Sequence, residues 1–117
     1  MLIAFKTAFA AAALALSASF ALAQGAGDAK KGKDAYVKAG CWGCHGYDGQ
    51  GGVAGPKIAP EPMPADALIT YLRNASATRM PPYDAKGLPD AEVVHIRTYL
   101  ATIPKHGDWK TVPLLQP

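Results

Sequence analysis

At 117 residues the chain has room for one domain. Its 12 basic residues against 9 acidic ones leave a formal net charge of +3 with no dense basic run, a balance that excludes nucleic-acid binding on composition. Two cysteines allow at most one disulfide, so a disulfide-rich scaffold is excluded as well.

Residues 1–6 carry one positive charge, Lys6, and residues 7–22 are mostly Ala, Leu and Phe with no charge and no proline. Ala21-Leu22-Ala23 is the small-x-small pattern of a signal-peptidase site, followed by a polar run. This is the layout of a secretory signal peptide cut after Ala23. The uncharged stretch falls short of the ~20 residues a spanning helix needs, so no stable membrane insertion is expected after cleavage. The expected organisation is 1–23 signal peptide, 24–104 domain and 105–117 C-terminal tail. A mature chain this short buries only a modest core, and small exported domains usually add a disulfide or a metal site.

Residues 28–39 (DAKKGKDAYVKA) predict a first helix, with Asp28 as N-cap and Gly40 as C-terminal stop. Ala29, Gly32, Ala35 and Tyr36 share one face, and Lys30, Lys31, Lys33 and Lys38 read as a solvated face. Residues 46–62 are rich in Gly and Pro and predict a long irregular loop, the kind that in compact domains wraps something. Residues 64–74 (PADALITYLRN) predict a second helix with Pro64 at its first position and Leu68, Tyr71 and Leu72 as the apolar face. Residues 75–87 are loop again and hold Met80-Pro81-Pro82. Residues 89–103 predict the last helix, with Val93, Ile96, Tyr99, Leu100 and Ile103 at three- and four-residue steps and Pro104 as the stop. No segment alternates as a strand would, so the fold class is all-α, with three to four helices and long loops.

Cys41-Trp42-Gly43-Cys44-His45 is C-x-x-C-H, the spacing of c-type haem attachment. Two thiols three positions apart can each add to a vinyl group on one edge of a porphyrin, and the adjacent His then points its imidazole at the iron. Export agrees with this chemistry. Three other readings compete. A thioredoxin-type dithiol sits near a βαβ unit, and no strand precedes this motif. A zinc site needs further donors, and only His95 and His106 remain. A plain structural disulfide is the third.

The donors available opposite His45 are Met63, Met80, His95 and His106. Met80 is preferred, because Pro81 and Pro82 stiffen its loop and fix the direction in which the thioether points. Met63 lies close to His45 in sequence, leaving little chain to cross to the other face of the haem. His95 reads as a half-exposed helix residue, and His106 lies in the tail. The site expected is therefore Cys41, Cys44, His45 and Met80 around one covalent haem c, with His45 and Met80 on the iron. An imidazole and a thioether favour the ferrous state and raise the reduction potential.

These residues resemble the class I bacterial c-type cytochromes over residues 27–104. The resemblance is carried by the motif after an N-terminal helix, by Gly55-Pro56, by the Arg79-Met80-Pro81-Pro82-Tyr83 loop, and by a last helix opening Asp90-x-Glu92 and ending in Tyr99-Leu100. It implies that the Pro56 carbonyl accepts the His45 Nδ1 proton, and that Gly32 lets Tyr99 approach the first helix closely. Pro89 departs from the Ser or Thr N-cap frequent in the family. The resemblance implies a non-enzymatic, periplasmic single-electron carrier. Its partners would be redox proteins: a dehydrogenase or quinol-oxidising complex on one side, an oxidase or another cytochrome on the other. A dedicated electron-accepting subunit of a periplasmic dehydrogenase, with 105–117 as its docking element, is one alternative. A peroxidase-like or gas-sensing haem protein with an open iron site is the other.

Overall fold

The computed structural model describes residues 27–105, 107 and 113–115. The expected leader, His106 and most of the expected tail lie outside the described residues. Four α-helices occur among those described, with no strand: α1 (Ala29–Lys38), α2 (Trp42–His45), α3 (Ala65–Arg73) and α4 (Asp90–Thr102). A short 3-10 turn covers Pro113–Leu115.

The caps of α1 follow from its sequence. The Asp28 carboxylate accepts the Lys31 N–H at 2.8 Å, satisfying an orphan donor of the first turn. At the other end Gly40 takes φ +77°, a value that costs an L side chain, and two bonds close a Schellman motif. They run from the Gly40 N–H to the Val37 carbonyl at 3.1 Å and from the Cys41 N–H to the Tyr36 carbonyl at 3.2 Å. The helix therefore ends in a fixed geometry that sets the direction of Cys41. Gly46, also at φ +77°, ends α2, and its N–H donates to the Trp42 carbonyl at 2.9 Å. Two left-handed glycines thus bracket the cysteine motif, and the single turn of helix between them has no counterpart in the sequence reading. One turn carries too little periodicity to be read.

The core lies between α1 and α4. Gly32, Ala35 and Tyr36 of α1 are buried, as are Val93, Ile96, Tyr99 and Leu100 of α4. A Cβ on Gly32 would collide with the His95 carbonyl and lie 2.9 Å from the Tyr99 Cβ, so the helices cross at backbone contact there. The Tyr36 and Tyr99 rings meet at a centroid distance of 5.7 Å, tilted by 58°. Leu72 of α3, Leu88 and Ala59 complete the core, with Leu68, Ile69 and Ile103 partly buried against it.

Two details differ from the expected helices. Tyr71, expected on the apolar face of α3, is 51% exposed, and Ile69 packs inward instead. At about 100° per residue, positions 68, 72 and 69 fall at 0°, 40° and 100° while 71 falls at 300°, so the buried stripe of α3 is as wide as expected but rotated toward Ile69. Pro64 sits at the N-cap of α3 rather than at its first helical position, and Pro89 is the N-cap of α4. Neither offers a side-chain cap. Instead the Pro89 carbonyl accepts from Glu92 at 2.9 Å and Val93 at 3.2 Å, and Asp66, Asp90 and Glu92 supply negative charge to the first turns.

Candidate functional site

Among the described residues His45 is the buried polar one, 8% exposed at the end of α2. Its Nδ1 lies 2.8 Å from the Pro56 carbonyl oxygen. A carbonyl can only accept, so the imidazole is the Nδ1–H tautomer there, and Nε2 is left with its lone pair for another partner. The Gly-rich loop is laid directly over the motif to make this contact. The Gly51 N–H donates to the His45 carbonyl at 2.8 Å. A Cβ on Gly55 would sit 2.9 Å from the Cys44 carbonyl oxygen and 3.1 Å from the His45 Cε1. Only glycine lets the chain pass this close while the next residue presents its carbonyl to the ring.

The two tyrosines of the helix crossing reach the same segment. The Tyr36 hydroxyl donates to the Gly46 carbonyl at 2.7 Å, and the Tyr99 hydroxyl to the Tyr47 carbonyl at 2.8 Å. Burial raises both phenols above their ordinary value, keeping them protonated as donors. The α1–α4 pair therefore fixes the two residues that follow His45. This role is invisible in sequence, where both tyrosines read as core.

Cys41 is half-buried against the core, Cys44 is exposed, and the two are not joined in a disulfide. Burial pushes the Cys41 thiol up, so it stands as the neutral thiol. Met80 also packs against the core, partly buried. Its loop is tied to the motif by Tyr83, whose hydroxyl donates to the Ala39 carbonyl at 3.0 Å, two residues before Cys41. Of the other sulfur and imidazole candidates, Met63 is 42% exposed. His95 uses its Nδ1 to accept the Asp28 N–H at 2.8 Å, in the α1–α4 interface. Among the described residues no three His, Cys, Asp or Glu side chains converge on a metal-sized space.

Sequence reasoning did not single out the Trp42–Tyr47 pair. The two rings stack at 4.9 Å and 7°, on the outside of the motif, with 40% and 57% of each residue exposed. No helical or strand period links positions 42 and 47; the turn at Gly46 brings them together.

The residues present fit a c-type haem. Two unbridged thiols lie at the N-cap of a one-turn helix and within it, and the histidine beside them is locked in the tautomer that presents Nε2. A soft thioether borders the same core. Residues 27–100 match the family model described as Cytochrome C oxidase, cbb3-type, subunit III. No curated protein and no solved structure matches the chain. The family match runs from the residue before the N-cap of α1 to the last turn of α4, taking in the motif and both long loops, so the chain belongs to this family and is a class I c-type cytochrome, an all-α electron-transfer protein built for covalent haem c.

Proposed function

We propose that this protein is a periplasmic single-electron carrier holding one haem c. Cys41 and Cys44 would form the thioethers, and His45 and Met80 would ligate the iron. The observation that carries the reading is the 2.8 Å contact of His45 Nδ1 with the Pro56 carbonyl, beside two thiols left unjoined. That contact orients the ring and raises the basicity of its other nitrogen, as outer hydrogen bonds to metal-bound imidazoles do. Met80 is the sulfur donor assigned to the opposite face; in support, it borders the core while Met63 is exposed and His95 is engaged at the helix interface. Bound there, the haem supplies a one-electron iron couple. The chain's part is to keep both donors fixed, so that little reorganises when charge changes. The Tyr36, Tyr99 and Tyr83 hydroxyl bonds serve that end by anchoring the segments that carry them. The stacked Trp42 and Tyr47 give the outer surface of the motif an apolar face where a redox partner can approach. Export rests on the leader pattern of residues 1–23.

Ferric protein carrying a Met-ligated haem shows a weak far-red sulfur-to-iron charge-transfer band. Replacing Met80 with Ala is expected to abolish it; a band that survives Met80→Ala overturns the ligand assignment. Haem that washes out of the denatured polypeptide would overturn covalent attachment.

A second reading takes the family description at its word, with the chain as a subunit of a respiratory redox complex. No described helix is long and apolar enough to cross a membrane. Gel filtration of natively purified protein separates the readings: a lone species of about 10 kDa supports the carrier, and co-elution with larger chains supports the subunit.

A further inference from the structure

We propose that Arg73 is a positioning residue for Met80, its guanidinium clamping the loop that carries the thioether, a role that rests on Met80 being the second axial ligand. Arg73 is the last residue of α3, and the chain that leaves it passes through Met80 before returning to α4. The guanidinium gathers three points of that return path. Nη1 donates to the Tyr83 carbonyl at 2.9 Å, Nη2 donates to the Leu88 carbonyl at 2.8 Å, and Nη2 also pairs with the Asp90 carboxylate at the start of α4.

Tyr83 is thereby held on every polar group it has. Its carbonyl accepts from Arg73, its N–H donates to the Leu72 carbonyl at 2.9 Å, and its hydroxyl donates to the Ala39 carbonyl at 3.0 Å. On the other side of Met80, the N–H groups of Arg79 and Met80 both donate to the Ser76 carbonyl at 2.9 Å, closing a turn that opens three residues beyond the end of α3. Between that turn and the Tyr83 anchor lie only Pro81 and Pro82. Neither has an N–H to bond and both have φ fixed, so the segment is stiff but has no backbone donor of its own to hold it in place. Its position is set by its two ends, and Arg73 secures the downstream one. With the Arg73 side chain only 20% exposed, its charge-assisted bonds to the Tyr83 and Leu88 carbonyls are partly shielded from water, while the Asp90 carboxylate is exposed. The planar fork of a guanidinium serves two carbonyls and a carboxylate at once, which the single nitrogen of a lysine cannot do with the same geometry.

The test uses the haem-loaded ferric protein and imidazole, which competes with Met80 for the iron. Arg73→Gln is expected to bind imidazole about tenfold more tightly than wild type, the loss of one charge-assisted bond or more from the Met80-bound state. Its far-red band should weaken while far-UV helicity is unchanged. Arg73→Lys, which keeps the charge but not the fork, should show a smaller rise. Wild-type imidazole affinity with a full band in Arg73→Gln overturns the clamp, as does a lowered unfolding midpoint with no change in affinity, the mark of a merely structural role. Should Arg73→Gln fail to mature, Arg73→Lys decides by the same affinity criterion. Absence of the band from wild type, or unchanged imidazole affinity in Met80→Ala, overturns the ligand assignment itself and is told apart from failure of the clamp.

Discussion

Tyr36 shows how one side chain serves both packing and the site. Its ring is fully buried between α1 and α4, while its hydroxyl reaches the Gly46 carbonyl just beyond the candidate iron ligand. Tyr36→Phe conserves the ring volume, so its cost comes from the carbonyl left without its donor, about 1–3 kcal/mol. A domain of this size should then melt roughly 4–8 °C lower for each kcal/mol lost. An unchanged melting temperature would show that water replaces the hydroxyl. At this scale the sequence was readable wherever neighbours in the chain do the work. Asp28 caps Lys31 three residues on, and Cys41, Cys44 and His45 lie within five positions. It was unreadable where the partner is remote: Tyr99 and Tyr47 are 52 positions apart, Tyr83 and Ala39 are 44.

Among the elements, the ends matter more than the middles. Two carboxylates hold turns by accepting backbone N–H bonds: Asp28 at the start of α1, and Asp84 in the turn after the Met80 loop, which accepts from Lys86 at 2.9 Å and Gly87 at 2.7 Å. Those bonds favour the charged form and hold both carboxyls below their ordinary value of 3.8. A carboxyl lowered on folding stabilises the folded form fully above its unfolded value and loses that contribution as pH falls through the folded one. Protection of the Lys31, Lys86 and Gly87 amides against hydrogen exchange is therefore expected to hold from neutral pH down to about 3.8 and to fall below it. Asp28→Asn and Asp84→Asn should flatten the acid dependence at their own turns. Loss of protection at these amides well above 3.8 would mean another group controls the turns. The strong period of α4 made that helix plain in the sequence. On α3, Tyr71 and Ile69 lie on opposite sides of Leu68 and Leu72, and spacing alone does not say toward which side the neighbouring helix packs.

For the molecule as a whole, the core of α1, α4 and Leu72 is small, and Trp42, Tyr47 and Tyr71 stand well exposed. A domain of this length buries too little apolar surface to be strongly stable alone. A covalent haem resting against Cys41 and Met80 would add both buried area and cross-links. The Cys41→Ala, Cys44→Ala double variant, unable to form the thioethers, should accordingly show reduced helicity by circular dichroism and rapid proteolysis. Wild-type helicity and melting temperature in that variant would mean the polypeptide core suffices.

The sequence by itself determined the three longer helices, the two caps of α1 and the five-residue motif, because helical period, capping and thiol spacing are properties of residues adjacent in the chain. Tertiary structure decided the rest. It chose which face of α3 is buried and brought two tyrosine hydroxyls onto the segment after His45, and the Arg73 fork onto both Tyr83 and the start of α4. Those contacts depend on where the Gly-rich loop and the helix crossing carry distant residues, and no local pattern encodes that path.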